Sequence, residues 1–220
     1  MYAVALLAQK GGVGKTTLAV SLAVQAELAG FRAGIVDADP QANASGWLKR
    51  RKKAQGKATP SVAAVTDVAT LREAVQSAKA DKLDWLFFDT QPGVSELPAA
   101  VASLANLLVI PCLGTANTLD ALASTVRLVK RVKKPAFFVL NRARSSKAIN
   151  DACAVALSSA YGLPVVNAYI SQRLVIGDLE EDGTALPELE SQDSTTERGK
   201  EEFRTLWQWL VQQKEKRHHA

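Results

Sequence analysis

Residues Lys10-Gly11-Gly12-Val13-Gly14-Lys15-Thr16-Thr17 follow directly on an apolar stretch, Ala3 to Ala8. A strand that runs into a glycine-rich turn and then a helix leaves few choices of fold. Glycines let the backbone curl so that successive N–H groups converge on an anion. A helix beginning at Lys15 sets its positive end beneath that anion. Lys15 can then reach β- and γ-phosphate oxygens, and the Thr16 hydroxyl can ligate magnesium. Gly11, Gly12, Val13, Gly14, Lys15, Thr16 and Thr17 are therefore expected to cradle the phosphates of a nucleotide. The common form of this motif has glycine five residues before Gly14; here that position is Gln9, and Lys10 follows it. The loop thus carries a second lysine at its mouth. A second cation beside Lys15 is repelled unless a strong anion lies between the two.

The rest of the chain alternates short apolar runs with helical patterns, which implies βαβ units around a parallel sheet. Strands are expected at Ala3–Ala8, Ala33–Val36, Trp85–Phe88, Leu107–Ile110, Ala136–Leu140 and Val165–Tyr169, with a weaker one at Ser61–Val65. Helices are expected over Lys15–Ala29, Asp67–Lys79 (capped by Thr66 or Asp67), Leu119–Val132, Ser145–Tyr161 and about Thr195–Gln213. The polar stretch Lys49 to Thr59 reads as an exposed helix end and loop. The expected fold class is α/β: a doubly wound, mostly parallel sheet with helices on both faces. Its 220 residues suit one such domain spanning 1–220, and 47% apolar residues suffice for its core. Aromatics are few beside alanine, valine and leucine, as helix-covered parallel sheets prefer. No apolar run reaches the roughly 18 residues of a membrane span. The chain opens on a strand-like segment, so a secretory leader is not expected. Cys112 and Cys153 make no disulfide framework, and a cytoplasmic location is expected.

Three further constellations carry chemistry. Asp37 and Asp39 stand in Ile35-Val36-Asp37-Ala38-Asp39-Pro40-Gln41, just past a strand, at the carboxyl edge where open α/β sheets bind ligands. Asp39 could orient or deprotonate a water aimed at a γ-phosphate, and Asp37 could help hold a magnesium shell. An acidic turn is the plainer alternative. Asp89 ends the apolar run Trp85-Leu86-Phe87-Phe88 and precedes Thr90-Gln91-Pro92-Gly93. A carboxylate held there by the sheet suits a metal reached through water. Asn141, at the end of Phe138-Val139-Leu140, could read an adenine edge with its amide, or cap the following helix.

In order and approximate spacing, Lys10–Thr17, Asp37–Gln41, Asp89–Gly93 and Asn141-Arg142 resemble the ParA/MinD group of deviant Walker ATPases. Ile170-Ser171-Gln172-Arg173 and Asp182-Gly183-Thr184-Ala185-Leu186 are similar to the late region of ParA-type partition proteins. The resemblance covers nearly the whole chain and lies nearest the small, ParF-like members, which lack an N-terminal helix-turn-helix. It implies ATP and Mg2+ as cofactors and a homodimer formed on ATP. Lys10 would be the signature lysine reaching the partner's nucleotide. Lys10, Lys15 and Asp39 would form the catalytic set, with Thr16, Asp37 and Asp89 around the metal. It also implies slow, partner-stimulated hydrolysis, a ParB-like centromere-binding partner and non-specific DNA as the surface the dimer docks to.

For DNA, the candidate contacts are Arg173, Arg142 and the run Lys49-Arg50-Arg51-Lys52-Lys53, with Arg144, Lys147, Lys214, Lys216 and Arg217 as further basic residues. A formal net charge of +5 agrees with a polyanionic partner, and equally with simple solubility. Phe203, Leu206, Trp207, Leu210 and Val211 fall on one helical face. That stripe either packs on the domain or, as in MinD-like proteins, seeks a membrane surface; packing is the expectation. Nitrogenase-type iron proteins need cluster cysteines that Cys112 and Cys153 do not supply. A metabolic P-loop enzyme of the dethiobiotin synthetase type is the remaining alternative.

Overall fold

Every apolar run but one that the sequence marks as a strand pairs with a parallel neighbour. The computed structural model describes residues 1–113, 119–173, 175–190 and 193–218. Its strands are β1 (Tyr2–Leu6), β2 (Ala33–Ala38), β3 (Ser61–Ala64), β4 (Trp85–Thr90), β5 (Leu107–Leu113), β6 (Ala136–Ala143) and β7 (Ile170–Ser171). They form one sheet in the order β3-β2-β4-β1-β5-β6-β7, with every pairing parallel. The helices are α1 (Lys15–Leu28), α2 (Asn43–Gln55), α3 (Val68–Ala80), α4 (Glu96–Leu104), α5 (Leu119–Val132), α6 (Lys147–Tyr161), α7 (Val175–Glu181) and α8 (Ser194–His218).

Because side chains alternate along a strand, β4 sends Trp85 and Phe87 into one core and Leu86 and Phe88 into the other. The first core is closed by α1, α2 and α8, and the second by α3, α4, α5 and α6. A sheet covered on both faces needs apolar residues at nearly every strand position, which is why these segments read as unbroken apolar runs.

α8 completes the first core. Phe203, Leu206 and Leu210 are fully buried and Trp207 nearly so, with its ring 4.6 Å from that of Trp85. Burial of each such side chain contributes roughly 1.5–3 kcal/mol. The stripe that could have sought a membrane is therefore already packed against α1, β7 and Trp85 of β4. Among the described residues no helix is long and apolar enough to cross a membrane.

Four elements depart from the sequence expectation. α2 runs from Asn43 to Gln55, so the polar helix end expected from Lys49 is there, but the buried part that precedes it was not marked as helix. Its buried positions, Ala44, Trp47, Leu48 and Arg51, have helical spacing, but one of them is charged, which hides the stripe. α4 and α7 were not expected, being short and weakly periodic. The strand expected at Val165–Tyr169 reduces to a single bridge between Val165 and Phe138, and true pairing resumes at Ile170. The register of β6 shifts between Asn141 and Ala143, where Arg142 has a φ of 51°. That irregularity moves the partner strand downstream. Of the two caps considered for α3, Asp67 is the one used: its carboxylate accepts the Thr70 N–H at 2.8 Å.

Candidate functional site

The loop after β1 emerges at the carboxyl edge between β4 and β5, the two neighbours of β1. Gly12 and Gly14 adopt left-handed φ values of 73° and 87°, which glycine alone takes without strain. Gly14 is doubly constrained, since a Cβ there would collide with the Asn141 side-chain amide. α1 begins at Lys15 with no side-chain cap, leaving its first N–H groups to be satisfied by something that is not protein. Lys15 is 6% exposed. Burial pulls its pKa down, while Asp89 and Asp39 favour the charged ammonium.

Register brings the acidic groups together. Asp89 of β4 lies beside Asp37 of β2 on one side and Leu6 of β1 on the other. The two carboxylates nonetheless differ in role. Asp37 Oδ2 accepts both the Ser45 backbone N–H at 2.8 Å and the Ser45 hydroxyl at 2.7 Å, and its Oδ1 accepts the Asp39 N–H at 3.3 Å. It fastens the start of α2. Its Oδ1 keeps a further lone pair, so this bracing is compatible with its expected place at a metal shell. Asp89 is 0% exposed and neither of its oxygens has a hydrogen-bond partner. Burial raises its pKa to about 7; the Asp37 carboxylate adds to the rise, and the nearby Thr16 hydroxyl and Lys15 oppose it.

An orphaned, buried carboxylate behind a threonine hydroxyl fits a hydrated divalent cation. Among the described residues no group of three or more His, Cys, Asp or Glu could cage a metal. Magnesium does not need such a cage, since it is usually held by one or two protein groups, water and substrate phosphates. Thr16 and Asp89 are the residues suited to hold it.

The state of Asp89 makes a prediction about the nucleotide-free protein. Its folded pKa lies above the ordinary carboxylate value, so between roughly pH 4 and 7 the folded state binds the extra proton and stability falls as pH rises. Asp89→Asn removes that penalty. The gain in thermal midpoint should be absent near pH 4, grow through pH 5 and 6, and be complete above about pH 7. A gain that does not vary with pH in calorimetry would show that Asp89 is not held protonated by burial.

A cleft of about 410 Å³ lies over the loop. Gly11, Gly12, Gly14, Lys15, Thr16 and Thr17 form one wall; Asp39, Gln41, Asn43, Trp47 and Arg50 form another, with Pro92 and Arg142 also lining it. Asp39 is half-buried and part of a tight turn, with its Oδ1 accepting the Gln41 N–H at 2.9 Å. Lys10 is exposed, does not line this cleft, and makes no hydrogen bond or ion pair among the described residues. A larger hollow of about 690 Å³ lies to one side, between the starts of α6 and α8.

Several expected contacts are reassigned by the structure. Asn141 is 5% exposed. Its amide donates to Val13 O at 2.8 Å and its Oδ1 accepts the Arg142 N–H at 3.0 Å. It braces the phosphate loop, and one amide hydrogen and one oxygen lone pair remain for the expected reading of adenine. Arg51 is not a DNA contact: it is 3% exposed and forms a two-pronged pair with Glu188 at 2.5 and 2.9 Å. It also donates to Thr59 O and Gly183 O, tying α2 to the chain before α8. Arg173 is likewise withdrawn from the expected DNA surface. Its side chain is 5% exposed and pairs with Glu202 at 2.6 and 2.9 Å. Basic residues in sequence look alike whether they face solvent or a buried carboxylate, and only the fold shows that Glu188 and Glu202 are opposite. Arg50 and Arg142 are exposed but line the nucleotide cleft. Lys49 and Arg144 are exposed, and Lys147 is exposed and paired with Asp151. At the end of α8, Lys214 lies over the Phe31 and Trp85 rings and Arg217 donates to Asn106 O, whereas Lys216 is exposed. Gln41 and Asn43 were not expected in the cleft; their place after Asp39 was the available signal.

Residues 4–186 match the family described as the CobQ/CobB/MinD/ParA nucleotide binding domain. The chain is 30% identical over 154 residues to the chromosome-partitioning ATPase Soj of Thermus thermophilus, covering 59% of this chain and 62% of that protein. It is 39% identical over 124 residues to the maintenance of carboxysome distribution protein A of Gloeobacter kilaueensis, covering 56% and 54%. The chain spans about half the length of the curated relatives it matches. In three dimensions it resembles the septum site-determining protein MinD of Pyrococcus horikoshii, solved with Mg-ADP, with a TM-score of 0.73, 19% identity and 95% coverage of each chain.

Proposed function

The chain belongs to the CobQ/CobB/MinD/ParA nucleotide-binding family, and on that footing we propose that it is a ParA-type ATPase that dimerises on Mg-ATP, binds DNA without sequence preference and releases it on hydrolysis. One observation carries the reading. Of the two loop lysines, Lys15 is buried and lines the cleft, whereas Lys10 is exposed and does not. A lysine with no partner among the described residues of its own chain is suited to complete the triphosphate site of a second copy. ATP occupancy and dimer formation then become one event. The Mg-ADP carried by the Pyrococcus MinD supports the choice of ligand.

The reaction is phosphoryl transfer to water. A magnesium ion held by Thr16 and Asp89 would supply charge neutralisation to the bound phosphates. The backbone N–H groups from Gly11 to Thr17 orient the phosphates, and Lys15 offsets their charge from the protein side. Asp39, at the open wall of the cleft, positions the attacking water and can take its proton. Lys10 of the opposite copy adds positive charge where negative charge builds up.

Exposed Lys49, Lys52 and Lys53 on α2, with Arg144, provide the cationic surface for phosphate backbones. Two copies double that surface in the ATP state alone. A ParB-like partner would accelerate hydrolysis, and a cytoplasmic, nucleoid-associated life follows from that cycle. The test is a gel shift with non-specific duplex, with and without a non-hydrolysable ATP analogue. Binding should require the analogue and, if four phosphates are neutralised, weaken about 100-fold between 50 and 200 mM salt. Nucleotide-independent or salt-insensitive binding would overturn the DNA reading.

A further inference from the structure

Gln9, the residue before Lys10, is gripped from a helix 116 positions further along the chain. Its backbone N–H donates to Thr125 Oγ1 at 3.0 Å, and its side-chain Oε1 accepts the Ser124 hydroxyl at 3.0 Å. Both hydroxyls belong to α5. Thr125 is 1% exposed and sits on the face of α5 that packs Leu122, Val126 and Val129 into the second core. Valine has nearly the same shape and would pack there without a polar atom. A buried hydroxyl at this place is stabilising only if it has a partner, and the loop supplies one.

The other side of the loop is held as well. Ala8 O accepts the Gly93 N–H at 3.2 Å, and a Cβ on Gly11 would rest 3.7 Å from Pro92 Cγ. The backbone on either side of Lys10 is thus fixed between α5 and the Pro92-Gly93 turn, while the Lys10 side chain itself is exposed. A long side chain that must meet a phosphate on another molecule gains most from an anchored starting point, because displacements of about 1 Å can cost 100-fold in a positioned reaction.

We infer that Thr125 and Ser124 are positioning residues for Lys10: through Gln9 they set the backbone from which the signature lysine reaches the second copy's nucleotide. This rests on the proposed action of Lys10 across the dimer. It also makes α5 an element whose movement would be felt at that lysine, although none of the described residues that line the cleft belongs to α5.

The experiment is a double-mutant cycle on the full chain: wild type, Lys10→Ala, Thr125→Val and the pair. It is read as dimer dissociation constant by sedimentation with magnesium and a non-hydrolysable ATP analogue, and as ATP turnover. Thr125→Val should weaken the dimer about 10- to 100-fold while single-chain nucleotide affinity stays within about twofold, and Thr125→Ser should restore the dimer. In the Lys10→Ala background, Thr125→Val should change the dimer by less than about twofold, because the residue acts only through the lysine. Ser124→Ala, which leaves the core intact, should show the same dependence on Lys10 at about threefold. An equal loss in both backgrounds would mark Thr125 as merely structural and overturn the inference. A normal Thr125→Val dimer beside a crippled Lys10→Ala dimer would overturn it while sparing the trans-lysine reading. A normal Lys10→Ala dimer would overturn both.

Discussion

Lys15→Ala should lower the affinity for Mg-ATP by at least about 100-fold, equivalent to roughly 3 kcal/mol, with the fold intact. Lys15 is the one cation buried at the floor of the cleft, where its hydrogen bonds to phosphate would be charge-assisted and poorly screened by solvent. Its burial already lowers its pKa, and Asp89 and Asp39 hold it in the charged form. The protein thus maintains a desolvated ammonium, a costly arrangement unless an anion comes to it. Removing the lysine also removes that desolvation cost, so the nucleotide-free variant should melt no lower than wild type. Titration calorimetry for affinity and a thermal melt separate the two effects. Wild-type affinity in the variant would end the assignment of this loop to phosphate.

Asp39→Ala should reduce ATP turnover by about 100- to 10,000-fold, the range associated with losing a positioned acid-base group. Nucleotide binding should survive, because no phosphate ligand is lost, and the ATP-bound dimer should accumulate. The side chain also accepts the Gln41 N–H, and the backbone carbonyl accepts that of Ala42, so alanine could act by loosening the turn. Asp39→Asn separates the two explanations. It keeps an oxygen for Gln41 but cannot take a proton, and it should lose turnover nearly as fully. If the asparagine variant hydrolyses ATP at the wild-type rate, Asp39 is a turn residue and the water is positioned by another group.

Some of the site was legible because its information is local. The spacing of glycines, lysines and threonine in Lys10–Thr17 specifies a curled backbone and a helix start whatever surrounds them. Asp39 and Asp89 were found because each ends an apolar run, and strand ends on a parallel sheet share an edge. The failures have a common physical cause. Arg51 and Arg173 read as solvent-facing charge, yet each is paired with a carboxylate that the fold brings from far along the chain. Asp37 and Asp89 read as equivalent, and only the tertiary structure shows that Ser45 is hydrogen-bonded to one, while the other is buried with only the Thr16 hydroxyl and Lys15 nearby to favour its charge. The first part of α2 was missed, and only its polar end from Lys49 was read, because a buried arginine interrupts its apolar stripe.

The sequence by itself determined the phosphate loop, the parallel α/β architecture and the carboxylates at the ends of β2 and β4, since backbone geometry and hydrophobic period are properties of neighbouring residues. Only the tertiary structure decided which charges are partnered, that the stripe on α8 lies within the core, and that Thr125 holds the residue before Lys10. Those outcomes depend on hydrogen bonds and burial between segments that no spacing rule connects, and they exist only once the sheet has set its register.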